Sequence, residues 1–222
     1  MAKTLLYLVR HAATAANLAV PAKLQGRADD PALAPFGVHQ AAATRDLLTE
    51  EQLDACYCSP LRRAVETAQI VAGPHRLTPI SLPDLIECDV GEWQGLNWES
   101  IREHDRERYE RYTADPGSVP YPGGESFADV HFRSAPVLDR LIADHVDQSV
   151  LVVSHHVVLR TYLAGLLGLP IRLARRVTLD NCGVSVVASE GGQTAVITVN
   201  ATFHLTSLSP FSGEGIPPDS PA

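Results

Sequence analysis

Two histidines and two arginines stand where three apolar runs of this 222-residue chain come to an end. Residues 4–9 pass straight into Arg10 and His11. Residues 54–58 lead into Ser59-Pro60 and then Arg62-Arg63, and residues 149–153 into Ser154, His155 and His156. If these runs are parallel strands, the polar residues collect beyond one carboxyl edge of a sheet, where open α/β sheets bind their ligands. The set suits phosphoryl transfer. A phosphomonoester carries about two negative charges and needs fixed cations and aimed donors. Arginine forks bind phosphate oxygens in pairs, and a neutral imidazole is a competent nucleophile near neutral pH. A second histidine can donate a hydrogen bond to a phosphoryl oxygen, and helix N-termini add backbone N–H donors. This scheme requires neither metal nor cofactor. A metal centre built from His11, His155 and His156 is the competing reading, but no HxH, HxxxH or Asp-rich ligand pattern accompanies them.

The elements that must position these residues follow from periodicity. The three runs are short, continuous and apolar, as strands buried on both faces are. Residues 183–188 and 194–199 read as two further strands joined by Gly191-Gly192, a hairpin turn. Helical patterns lie between them: from Pro35, suited to a first helical turn, through Leu48; from Leu61 to Ala72; and from Val157 to Leu167. Strands alternating with helices imply a three-layer α/β/α fold around a mostly parallel sheet. Residues 96–134 break the rhythm. Asn97–Tyr112 is helical in composition and rich in Glu, Arg and Tyr, and Asp115-Pro-Gly and Tyr121-Pro-Gly-Gly read as loop. This stretch is expected to be a cap inserted into a single domain spanning 1–205, with 206–222 as a flexible, non-catalytic tail.

Composition narrows the function. A formal net charge of −8 disfavours nucleic acid and anionic membrane surfaces as partners. Any anionic substrate must therefore meet a local positive pocket. No segment approaches the roughly 18 apolar residues of a membrane helix, and the apolar run before Arg10 is too short for a signal-peptide core. Cys56, Cys58, Cys88 and Cys182 form no CxxC pair and suit free thiols in a reducing cytoplasm. The oligomeric state stays open, a homodimer among the options.

The chain resembles the histidine phosphatase superfamily, the phosphoglycerate-mutase-like enzymes, over nearly all of residues 4–205. The resemblance rests on Leu8-Val-Arg-His-Ala-Ala-Thr14 with Asn17, Leu24-Gln-Gly-Arg27 with Asp30-Pro31, and Gly37-Val-His-Gln-Ala41. It continues through Ser59-Pro-Leu-Arg-Arg-Ala64, Glu87-Cys-Asp-Val-Gly-Glu-Trp93, Pro122-Gly-Gly-Glu-Ser126 and Val152-Val-Ser-His155. It implies that His11 accepts the phosphoryl group as a phosphohistidine. Arg10, Arg63 and His155 would hold its oxygens, and Glu87 would serve as proton donor to the leaving oxygen. Asn17 falls at a phosphate-contacting position. Thr14, Gln25 and Gly26 would line the pocket, and Arg62 occupies a variable position. Two residues depart from the pattern: Ala12 and His156 stand where glycine is usual. His156 either enters the pocket or turns into the sheet–helix interface. The stretch around Glu87 resembles the phosphatase branch, not the mutases, whose acid sits in a Glu-Arg-His-Tyr-Gly run. The expected activity is metal-independent hydrolysis of a small phosphorylated metabolite, with a phosphoglycerate-type mutase or a binding-only relative as alternatives.

Overall fold

The structure, a computed structural model, describes residues 3–208. The chain order is β1 (Lys3–Arg10), α1 (Ala15–Leu18), α2 (Pro35–Leu48), β2 (Ala55–Cys58), α3 (Arg62–Ala72) and β3 (Ile80–Ser81). Then come α4 (Trp98–His104), α5 (Arg106–Ala114), α6 (Phe127–Asp144), β4 (Ser149–Ser154), α7 (His156–Leu166), β5 (Val184–Glu190) and β6 (Gln193–Ala201). The six strands form one sheet in the order β3-β2-β4-β1-β5-β6. The first four are parallel, β5 is antiparallel to β1, and β6 is antiparallel to β5. The hairpin between β5 and β6 turns on Gly191 and Gly192, both at positive φ, as a tight two-residue turn requires.

The apolar runs are explained by burial on both faces. Leu6, Leu8, Val150 and Val152 share a core with Leu138 and Leu141 of α6 and Val158 and Leu159 of α7. The alternate residues Tyr7, Val9, Leu151 and Val153 pack on the other face against Ala64, Ala68 and Val71 of α3 and Leu48 of α2. A strand with a helical layer on each side has no solvent face, so period-2 alternation gives way to a continuous apolar run. The expected three-layer α/β/α architecture with a mostly parallel sheet is the observed one.

Two elements differ from the sequence reading. α6 was not anticipated. Its 18 residues begin at a capping box in which Ser126 Oγ accepts from Asp129 N at 3.2 Å and Asp129 Oδ2 accepts from Ser126 N at 2.8 Å. Asp stands where the familiar box has Glu, and Pro136 sits inside the helix, which together hide its signature. β3 has only two residues, both exposed, too few for a periodicity. The segment proposed as a tail lies outside the described residues from position 209 onward.

The fold fixes the site through one close approach. In α2, a Cβ added at Gly37 would lie 2.1 Å from the carbonyl oxygen of Ala13. The helix therefore rests against the backbone that follows β1. Gly37→Ala is expected to push the two apart and to cost about 1–3 kcal/mol, the range for overpacking. Urea unfolding should show that loss, together with reduced turnover from displacement of His11; an unchanged midpoint would refute this reading of the contact.

Candidate active site

The polar residues at the three strand ends do converge. His11 N donates to Ser154 O at 2.9 Å, which carries the β1–β4 ladder one residue past the strand and gives His11 the rigidity of the sheet. Its ring is fixed as well. Nδ1 lies 2.8 Å from the carbonyl of Ala12. A carbonyl only accepts, so Nδ1 bears a proton, and in the neutral ring Nε2 keeps the lone pair. The backbone beyond is held by Ala12 N donating to Thr67 Oγ1 at 3.0 Å and Ala13 N donating to Gln40 Oε1 at 3.0 Å. Asn181 Nδ2 donates to the His11 carbonyl at 2.8 Å.

Backbone carbonyls accept from both cations. Arg10 Nη1 donates to Leu179 O at 2.7 Å. Arg63, fully buried on α3, donates from Nη1 to Asp29 O at 3.0 Å and from Nη2 to Gly26 O at 2.9 Å. Its Nε is buried with no hydrogen-bond partner among the described residues. Carbonyl dipoles orient a guanidinium without neutralising it, so the net positive charge remains available to an anion. Arg62 turns outward instead and pairs with Glu66 at 2.7 Å.

His155 precedes α7 and is fully buried, its ring 5.1 Å from that of His11. Burial, and then the neighbouring Arg63, hold its pKa well below the usual value, so the ring is neutral at physiological pH. Nε2 lies 2.6 Å from Ser59 Oγ, and Nδ1 is buried with no hydrogen-bond partner among the described residues. Ser59 Oγ also accepts from Leu61 N at 3.3 Å. It can then donate its own proton to Nε2, leaving Nδ1–H as a donor. Glu87 is buried, with Oε1 accepting from Cys88 N at 2.7 Å. Burial raises its pKa, against the lowering pull of that hydrogen bond and of Arg63, Arg10 and Arg133. The Glu87 segment is held from α6 by Arg133, which donates to Asp84 O at 2.7 Å and Glu87 O at 3.2 Å while pairing with Glu125 at 2.9 Å.

A pocket of about 80 Å³ opens on this cluster. Arg10, His11, Asn17, Gln25, Glu87 and His156 are all on its wall. Thr14 and Gly26, expected to line it, are not among its lining residues. Thr14 is fully buried; its N–H donates to Asn17 Oδ1 at 3.0 Å and its hydroxyl to Gln25 Oε1 at 2.8 Å. That leaves Gln25 Nε2 buried with no hydrogen-bond partner among the described residues. Gly26 is where the loop presses on its neighbour: a Cβ would come 2.8 Å from Cys88 O, and its N–H donates to Gln94 Oε1 at 2.9 Å. Of the two orientations open to His156, the structure has the pocket-lining one, with Arg160 Nη2 against Nε2. Among the described residues no group of three or more His, Cys, Asp or Glu could hold a metal ion, and no helix is long and apolar enough to cross a membrane.

Comparison with known proteins agrees with this geometry. The pattern of the histidine phosphatase superfamily (branch 1) matches residues 6–202. The chain belongs to the histidine phosphatase superfamily. It is 35% identical over 200 residues to phosphoserine phosphatase 1 of Hydrogenobacter thermophilus, covering 90% of this chain and 93% of that one. It is 32% identical over 210 residues to a probable 2-carboxy-D-arabinitol-1-phosphatase of Arabidopsis thaliana, covering 93% of this chain but 42% of the longer relative. The solved α-ribazole phosphatase of Shigella flexneri superposes with a TM-score of 0.78 at 29% identity, over 89% of this chain and 96% of that one.

Reasoning from sequence missed several residues of this histidine phosphatase site. Asn181, Arg160, Arg175 and Trp98 were not singled out, and Ser59 was noted only as a strand end. Arg160, Arg175, Trp98 and Tyr121 line the pocket, whereas Ser59 and Asn181 hold His155 and His11. Asn181 had a readable position: it precedes β5, an antiparallel neighbour of β1, so the start of that strand lies at the edge where β1 ends.

The raised pKa of Glu87 carries a consequence for stability. Below its ordinary value of 4.5 both folded and unfolded states hold the proton. As pH rises the unfolded chain ionises first, the native state lags, and stability falls through the folded pKa. Glu87→Gln removes this penalty. Thermal unfolding should show the variant more stable than wild type at pH 7.5 and equal to it at pH 4. A variant less stable at pH 7.5 would mean that the three arginines outweigh burial.

Proposed function

We propose that the chain hydrolyses the phosphate monoester of a small metabolite through a phosphohistidine on Nε2 of His11. The observation that carries this reading is the hydrogen bond from His11 Nδ1 to Ala12 O. In the neutral ring it leaves the lone pair on Nε2, beside Arg10 and Arg63, which donate to backbone carbonyls. Nε2 attacks phosphorus in line, and the bond between phosphorus and the ester oxygen breaks. Arg10, Arg63, His155 Nδ1–H, Asn17 and the Gln25 amide hold the phosphoryl oxygens, where developing charge is best stabilised by donors already in place. Glu87, whose pKa is raised by burial, gives its proton to the departing alcohol. The carboxylate so formed then takes a proton from water, which attacks phosphorus. The N–P bond breaks, and His11 and inorganic phosphate are released.

The small pocket favours a metabolite over a folded phosphoprotein. Residues 96–134, read as a cap on a single domain spanning 1–205, narrow access to it. The four free thiols are all buried, which fits a cytoplasmic enzyme. Phosphate release from a panel of small phosphomonoesters should survive excess EDTA and fall by at least about 10³-fold in His11→Ala, the scale for removing a nucleophile. Activity lost to EDTA would refute the metal-free mechanism, and activity retained in His11→Ala would refute the phosphohistidine. Glu87→Gln should slow steady turnover about 10²-fold or more, yet still trap a stoichiometric phosphohistidine from an ester with a very good leaving group.

A further inference from the structure

Beyond the phosphoryl centre the pocket changes character. Leu24, Val90, Trp98, Tyr121, Phe127 and Val157 make an apolar wall, and Arg175 enters from the turn Ile171–Arg176 that follows α7. Its guanidinium carbon lies 4.8 Å from the ring centre of Tyr112 and 5.3 Å from that of Trp98. Both Nη atoms are buried and have no hydrogen-bond partner among the described residues, and no described carboxylate pairs with it. Tyr112 cannot act as its counter-ion, because burial pushes that phenol up to about 12. Tyr121 is likewise held neutral, well above its usual value, by burial. Stacking on aromatic faces fixes the plane of the guanidinium and offsets part of its desolvation. It supplies no acceptor for the N–H groups, and a buried charge lacking its partner is costly.

Glu87 is the one acid lining this pocket among the described residues, and it belongs to the phosphoryl centre. Among the described residues no carboxylate therefore matches the positive charge of Arg175. It enters from the turn after α7, whereas Arg10 and Arg63 come from β1 and α3. We infer that Arg175 binds a carboxylate on the alcohol portion of the substrate, so that the favoured substrates are phosphate monoesters of hydroxy acids or amino acids over those of neutral alcohols and sugars. This rests on the phosphomonoesterase reading above. Arg175 is then a specificity residue: its planar fork donates to both carboxylate oxygens, while the apolar wall encloses the short carbon chain between the two anionic groups.

The test compares 3-phosphoglycerate with glycerol 1-phosphate, in which a CH₂OH replaces the carboxylate. In wild type the ratio of kcat/KM for the two should be about 10- to 100-fold in favour of the acid, the value of one charge-assisted pair. Arg175→Met should bring that ratio close to one, and Arg175→Lys, which keeps the charge without the fork, should retain part of it. A wild-type ratio near one, or a ratio that survives in the Met variant, would overturn the assignment. So would an equal loss on both esters, which marks a merely structural role. Calorimetric binding of the same two esters to His11→Ala gives the comparison without turnover. If wild type hydrolyses neither ester but the acid binds about 10-fold or more tightly through Arg175, the hydrolytic reading fails and the carboxylate site stands. Equal binding of the two esters overturns the site.

Discussion

A guanidinium buried in the core of a protein demands explanation, because taking a cation out of water costs several kcal/mol unless something replaces the water. Arg63 is fully buried, and what replaces the water is the backbone: the carbonyls of Gly26 and Asp29 take two of its donors. Arg10 is treated the same way by Leu179 O. Much of the surrounding structure follows from this choice. The loop carrying Gly26 and Asp29 must be pressed inward far enough for its carbonyls to reach α3, and it is, to the point that Gly26 has no room for a Cβ. Had a carboxylate been used instead, the arginine would have been just as well held, but its field would have been cancelled where an anion must bind.

The same field sets the protonation of its neighbours. A second cation beside Arg63 would be repelled, so His155 stays neutral, its low pKa set first by burial and then by Arg63. Glu87 experiences the opposite influence. The arginines favour its ionised form, but complete burial outweighs them and its pKa rises. A carboxyl that is protonated before reaction and ionised after it is what a leaving-group acid and then a water base require. Neither pKa depends on a dedicated hydrogen bond from a partner side chain. Both follow from placing the groups deep under the carboxyl edge of the sheet beside fixed cations.

The departures at positions 12 and 156 are absorbed in different ways. Ala12 is fully buried with its N–H on Thr67, and its methyl group packs with Ala41, Cys182 and Leu205. The extra carbon is thus taken up by the core beneath the loop, away from the pocket. His156 has no such space. It is the first residue of α7 and faces the pocket, where it meets Arg160 one turn along. The wall that a glycine would leave open is filled by an imidazole, which reshapes the part of the pocket beyond the phosphoryl centre.

What the sequence made legible, and what it hid, divides along the same line. Residues fixed by parallel strands could be placed from the apolar runs alone, because β1, β2 and β4 end at one edge and carry His11, Ser59 and His155 to it. Asn181 escaped because it enters that edge from the beginning of an antiparallel strand, a position at which strand-end reasoning does not look. α6 escaped because its capping box uses Asp129 and its interior contains Pro136, and with it went Arg133, the residue that ties the Glu87 segment down. Arg175, Trp98 and Tyr121 meet only through packing of the 96–134 segment against the turn after α7, and no spacing in the chain encodes that meeting. The proposed phosphoryl centre is built on the sheet and its first helical turns, while the apolar wall beyond it draws Leu24, Val90, Trp98 and Tyr121 from segments between the strands and Phe127 and Val157 from the first turns of α6 and α7. The wall can therefore change residue by residue without disturbing the strand ends, and a shared phosphoryl centre is compatible with relatives that differ in the alcohol they release.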